Sequence, residues 1–127
     1  MDLFVYGTLT DRERVDALLD SYAFLGSARV EGLHVATGRY PTLLPGGTAT
    51  GRLLSTDEVG TLDRYEGVPT GLYVRVPLPR AGGGTVETYV GDPAALGVDG
   101  DWPGGGSLAD RVRAYCAGAG VVVRPTD

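Results

Sequence analysis

The sequence predicts an α+β fold, a small mixed β-barrel with short flanking helices. Three observations carry this. Five or six short apolar runs read as strands, whereas only two or three segments have helical spacing. Helices therefore do not separate every strand pair, which argues against a parallel α/β sheet. The 21 glycines among 127 residues suit sharp bends and close backbone approach. At this length one hydrophobic core is expected, so residues 1–127 read as a single domain without repeats.

The elements follow in order. Leu3–Tyr6 is a short buried strand, ended by Gly7. Thr10-x-x-Glu13 has the form of a capping box, and Val15, Leu18, Leu19 and Tyr22 follow at helical spacing, which predicts a helix near Asp11–Asp20. Phe24–Ala36 reads as a strand interrupted around Glu31-Gly32, the Gly/Pro-rich stretch Gly38–Gly47 as a loop, and Ala49–Leu54 as a strand. A second capping box, Ser55-x-x-Glu58, opens a helix that Gly67 ends. Leu72–Leu78 alternates as a strand, and Gly82-Gly83-Gly84 turns it into Thr85–Val90. Residues 91–106 form a connector. Ser107 caps a last helix with Leu108, Val112, Tyr115 and Cys116 on one face, and Val121–Val123 is a candidate edge strand.

Charge and composition exclude several functions. Lys+Arg number 11 and Asp+Glu 16, giving a net charge of −5, and every cation is arginine. Such an acidic chain repels phosphate backbones, so nucleic acid is not an expected partner. No run approaches the roughly 18 apolar residues of a membrane span, and no basic leader precedes the first strand, so a cytoplasmic location is expected. One Cys and one His cannot build a usual zinc site; a carboxylate-only site for a hard cation stays open, but no calcium-loop spacing occurs, and neither metal nor cofactor is expected. His34, in the alternating stretch Leu33-His34-Val35, reads as an ordinary strand residue rather than a catalytic one.

Two places remain. Tyr6-Gly7-Thr8-Leu9 sits between a strand and a helix, where successive N–H groups lie open to a small anionic ligand; a plain tight turn is the alternative. The other is Glu66. At about 100° per residue, with Val59 at 0°, Leu62 falls near 300° and Glu66 near 340°, so Glu66 shares the apolar stripe and points inward. Burial and the negative helix end both raise a carboxyl's pKa towards that of a useful general base. The alternative is an ion pair with Arg64, Arg75 or Arg52. Asp63, near 40° on the same wheel, is a second inward acid with Arg75 as its candidate partner. Tyr73 and Arg75 share a strand face, and the Tyr73 phenol is a candidate to bind substrate or orient Glu66. Tyr40-Pro41 is a candidate cover for a pocket mouth.

Together these segments resemble the γ-glutamylcyclotransferase-like family, which includes the AIG2-like proteins. The matching pieces are Phe4-Val5-Tyr6-Gly7-Thr8-Leu9, Gly38-Arg39-Tyr40-Pro41, Gly51-Arg52-Leu53-Leu54, Leu62-Asp63-x-Tyr65-Glu66-Gly67 and Tyr73-x-Arg75, in order from about residue 2 to residue 91. The resemblance implies a small barrel with a cavity at one side and release of 5-oxoproline from a small γ-glutamyl compound. It implies that Tyr6, Gly7, Thr8 and Leu9 hold the glutamyl group and that Glu66 is catalytic. It supplies no site residue beyond Gly91. A non-catalytic module binding a small metabolite on the same fold is the competing reading.

Overall fold

The structure, a computed structural model, describes residues 1–126. Six strands form one mixed sheet: β1 (Asp2–Val5), β2 (Ala23–Thr37), β3 (Pro41–Ser55), β4 (Tyr73–Pro79), β5 (Thr85–Gly91) and β6 (Val122–Pro125). Their spatial order is β4-β5-β1-β3-β2-β6. Among the strands of the described residues, β1 and β5 are the one parallel pair, with Leu3 opposite Glu87. The sheet curls into a half-barrel. Its two edges meet at one corner, where Arg80 and Val123 form a bridge and the Ala81 N–H donates to Val123 O at 2.9 Å. The four helices are α1 (Arg12–Leu18), α2 (Val59–Tyr65), α3 (Pro93–Leu96) and α4 (Leu108–Gly118).

Alternation along the strands divides the core in two. Phe4, Val30, Leu43, Val76, Leu78, Val86 and Val90 face the inside of the curl, where Trp102, Val112 and Cys116 cover them. Leu3, Val5, Leu54, Tyr73 and Tyr89 face the other way and pack under Leu9, Val15 and Leu62. Leu62 is wholly buried, so truncating it to alanine is expected to cost about 2–5 kcal/mol.

Local structure departs from the sequence reading in three places. The stretch Gly38–Gly47 is not all loop: β3 begins at Pro41, because Thr42, Leu43 and Leu44 are buried and pair with Ala36, Val35 and His34. The expected interruption of β2 is a register shift between Glu31 and Leu33, which the ladder absorbs without ending. Neither capping box forms. Asp11 caps α1 by accepting from the Glu13 N–H, while the Thr10 hydroxyl donates to Gly7 O at 2.7 Å. At α2 the Glu58 carboxylate turns outward to accept from the Asp20 and Ser21 N–H groups. The Ser107 cap does form, with its Oγ accepting from the Asp110 N–H.

After Gly91 the chain completes the half-barrel. The connector contains α3, capped by Asp92, and buries Trp102 against the Tyr115 ring. β6 pairs with β2. This segment provides core and closure, and none of it lines the cavity described next.

Candidate active site

The site forms where the end of β1, the start of α1, the end of α2 and the inner ends of β4 and β5 converge. β1 and β3 come unusually close here. A Cβ on Gly51 would lie 2.1 Å from Val5 O, so only glycine permits the pairing that aims Tyr6 and Gly7 off the sheet. The chain then turns through a single 3-10 turn, Thr8–Thr10, closed by Thr10 N–H to Gly7 O at 3.1 Å. The tight turn is present, and Gly7, at φ −113° and ψ −130°, enters it through a backbone conformation outside the usual helical and β regions without being left-handed. What its missing side chain gives is space beside Pro41 Cγ, 3.7 Å from where a Cβ would stand. Among the described residues, the N–H groups of Gly7, Thr8 and Leu9 have no acceptor within the protein, as expected at the start of a helical turn.

α2 delivers the acid. Val59 and Leu62 are buried, which fixes the helix's rotation and brings Glu66 inward as its C-cap residue. Gly67, at a φ of +74°, stops the helix and reverses the chain immediately after it. Glu66 lines a cavity of about 410 Å³. Its floor is Phe4, Val5, Leu9, Tyr73 and Tyr89, all buried. Thr8, Arg14, Tyr40 and Tyr65 are exposed at its rim. The Thr8 and Tyr65 hydroxyls lie 3.0 Å apart and tie the turn to the helix end.

The three arginines that might have neutralised Glu66 are engaged elsewhere. Arg75 bridges Asp63 and Glu87, each at 3.0 Å. Arg52 donates to Thr10 O at 2.9 Å and lies over the Phe24 ring. Arg64 reaches only Thr61, within its own helix. The phenols around Glu66 also spend their protons elsewhere: Tyr6 on Tyr89 O, Tyr73 on Pro41 O, each at 2.5 Å, and Tyr89 on the Asp63 carboxylate at 2.7 Å. Among the described residues, nothing pairs with the Glu66 carboxyl. Burial pushes its pKa up to about 7. Burial and then the Glu66 charge hold the Tyr73 phenol well above its usual range; burial, then Tyr73 and Glu66, do the same for Tyr6.

Of the residues singled out by sequence, Tyr6, Gly7, Thr8, Leu9, Glu66 and Tyr73 line one cavity together with Tyr40 and Pro41, whereas Asp63 and Arg75 do not. The Tyr73 hydroxyl is fixed on the backbone of Pro41 rather than turned to Glu66. His34 lies outside, its Nδ1 3.0 Å from Gly46 O. Sequence reasoning missed Tyr89 and Arg14, whose local patterns are those of an ordinary strand and an ordinary helix surface. Among the described residues, no group of three His, Cys, Asp or Glu side chains is placed to hold a metal ion.

The Tyr6–Leu9 loop and the half-buried Glu66 thus line the same cavity. The family model "Gamma-glutamyl cyclotransferase, AIG2-like" matches residues 3–103. The chain belongs to this family. Its membership accounts for the half-barrel with short flanking helices. The curated "AIG2-like protein C" of Arabidopsis thaliana is 43% identical over 75 residues, which cover 53% of this chain and 44% of that protein. The chain thus matches less than half the length of this relative. Among solved structures, one titled "Gamma-glutamyl cyclotransferase" superposes with a TM-score of 0.61 at 17% identity, covering 93% of this chain and 99% of the other. An uncharacterized protein of Pyrococcus horikoshii aligns with a TM-score of 0.57 at 22% identity, over 91% of this chain and 94% of that one. These two likenesses establish the fold. An Arabidopsis thaliana protein solved in solution is 26% identical, with a TM-score of 0.58, over 90% and 81% of the two chains.

Proposed function

We propose that this cyclotransferase-family member, acting as one domain over residues 1–127, releases 5-oxoproline from a small γ-glutamyl compound, with Glu66 as its general acid and base. The observation that carries this reading is the unpaired Glu66 carboxyl, half-buried in the cavity and raised to about 7.

The chemistry asks little of the protein. The substrate's own α-amine attacks its γ-carbonyl carbon. The new C–N bond closes a five-membered ring, the bond to the departing nitrogen breaks, and the products are 5-oxoproline and a free amine. Nucleophile and electrophile share one molecule, so the cavity has only to hold the chain folded for attack. Glu66 takes the proton that the amine sheds and returns it to the leaving nitrogen. A carboxyl titrating near neutral pH suits both halves of this transfer. The open N–H groups of Gly7, Thr8 and Leu9 are suited to the glutamyl carboxylate or to the oxyanion that forms on the attacked carbonyl. Tyr6 and Tyr73, fixed by their own hydrogen bonds, shape the wall against which the glutamyl chain lies. The single buried Cys116 thiol, pushed up to about 11 by burial, is compatible with a reducing, cytoplasmic setting.

The test is incubation with a panel of γ-glutamyl amino acids and amines and mass detection of 5-oxoproline. The wild type is expected to form it from at least one of them. Glu66→Gln should retain the fold by circular dichroism and lose about 10²–10⁴-fold in rate. Full activity in that variant contradicts the assignment of Glu66. Calorimetric binding without product from any panel member supports the binding-module reading instead.

A further inference from the structure

Of the residues lining the cavity, only two carry a formal charge: Glu66 and Arg14. Arg14 sits on α1, which Asp11 caps and the wholly buried Val15 anchors, so the helix holds Arg14 at the rim. Its side chain is exposed and, among the described residues, makes no ion pair or hydrogen bond, whereas Arg75, Arg80, Arg111 and Arg124 are all held by carboxylates. The rest of the rim is Thr8, Tyr40 and Tyr65, which are neutral. On a chain of net charge −5, an unengaged guanidinium at the cavity mouth is a local exception that attracts an anionic group.

We propose that Arg14 is a specificity residue that binds a carboxylate on the leaving group, so that γ-glutamyl amino acids are preferred over γ-glutamylamines lacking an acid. This rests on the cyclotransferase reading of the cavity. In that reading the glutamyl end lies inward, against the Gly7–Leu9 turn and Glu66. The departing amine then points towards the exposed rim, through which it leaves. A guanidinium offers a carboxylate two parallel N–H donors. Solvent at the rim weakens the pair, so the expected preference is about tenfold in kcat/KM.

Two substrates that differ only by the acid isolate the effect: γ-glutamylalanine and γ-glutamylethylamide. The readout is the ratio of their kcat/KM values from 5-oxoproline formation. The wild type is expected to favour γ-glutamylalanine by about tenfold at low salt, and the preference should shrink as salt is raised. Arg14→Ala should bring the ratio to about one, Arg14→Lys should retain part of it, and Arg14→Glu should invert it. If product still forms but the ratio is the same in Arg14→Ala as in the wild type, this inference falls and the cyclotransferase reading stands. Equal losses on both substrates also leave the ratio unchanged, and would move Arg14 to the glutamyl end. If the wild type makes no product from either substrate, this inference falls, and the cyclotransferase reading falls with it only where the wider panel also yields no product.

Discussion

Two carboxylates three residues apart at the end of α2 have opposite surroundings. Asp63 accepts from Arg75 at 3.0 Å and from the Tyr89 phenol at 2.7 Å, and Arg75 extends the network to Glu87. Glu66 lines the cavity and, among the described residues, has no partner. The difference comes from register. Arg75 and Tyr89 stand opposite each other on β4 and β5, on the sheet face that α2 covers. They meet the helix where Asp63 emerges, and one turn further on only the cavity is left to face Glu66. The first acid fastens the helix to the sheet. The second, carried on the fastened helix, is left dehydrated and uncompensated. Asp63 and Glu87 take up Arg75 and leave Glu66 without a counter-charge.

This contrast can be broken from either side. Among variants of these polar contacts, the largest loss of stability is expected from Asp63→Ala. It leaves the Tyr89 phenol without its acceptor and Arg75 with Glu87 alone, in a half-buried network. Chemical denaturation should report a loss of about 2–3 kcal/mol. Because α2 is then less firmly held, kcat should fall as well, although Asp63 itself does not line the cavity.

Glu66→Gln should have the opposite sign. In the unfolded chain a glutamate ionises near its ordinary value of 4.5, whereas in the fold burial raises Glu66 to about 7. Between these values the native state binds more protons than the unfolded state, so the wild type loses stability as pH rises from about 4.5 through about 7. Glutamine has no charge to bury. At pH 8 the variant should be the more stable of the two by about 3 kcal/mol, and at pH 4 the difference should nearly vanish. Thermal melts of both proteins across that range measure it. A wild type that gains stability relative to the variant on going from pH 4 to pH 8 contradicts the burial argument.

The smallest effect sharpens the picture of the rim. Tyr65→Phe removes the hydroxyl that meets Thr8 at 3.0 Å on the exposed side. It should cost no more than about 0.5–1 kcal/mol in stability. A larger relative change is expected in KM, because the turn that bears the open N–H groups is no longer tied to the helix that bears Glu66.

Much of this was legible in the sequence because it depends on local spacing. The apolar stripe Val59, Leu62 set the inward phase of Glu66, and Gly67 marked the end of its helix. Ser107 announced α4, and the three glycines after Arg80 announced the β4–β5 hairpin. The parts that failed depend on neighbours distant in sequence. Pro41–Leu44 reads as loop because its glycines and prolines punctuate it, but pairing with β2 makes it strand. Thr10 and Asp11 are both able to cap a helix, and the pull of Gly7 O on the Thr10 hydroxyl left the role to Asp11. Whether Glu66 is paired was open for the same reason. Its answer lies with Arg75, captured by residues 12 positions away on either side.

The account rests on the ionisation of one side chain, and this can be read directly. In the folded wild type, with selectively ¹³C-labelled glutamate and Glu66→Gln to assign the resonance, the Glu66 carboxyl should titrate with a midpoint near 7. A midpoint in the ordinary range of an exposed glutamate, near 4.5, would mean that the carboxyl is solvated or paired and would contradict the account.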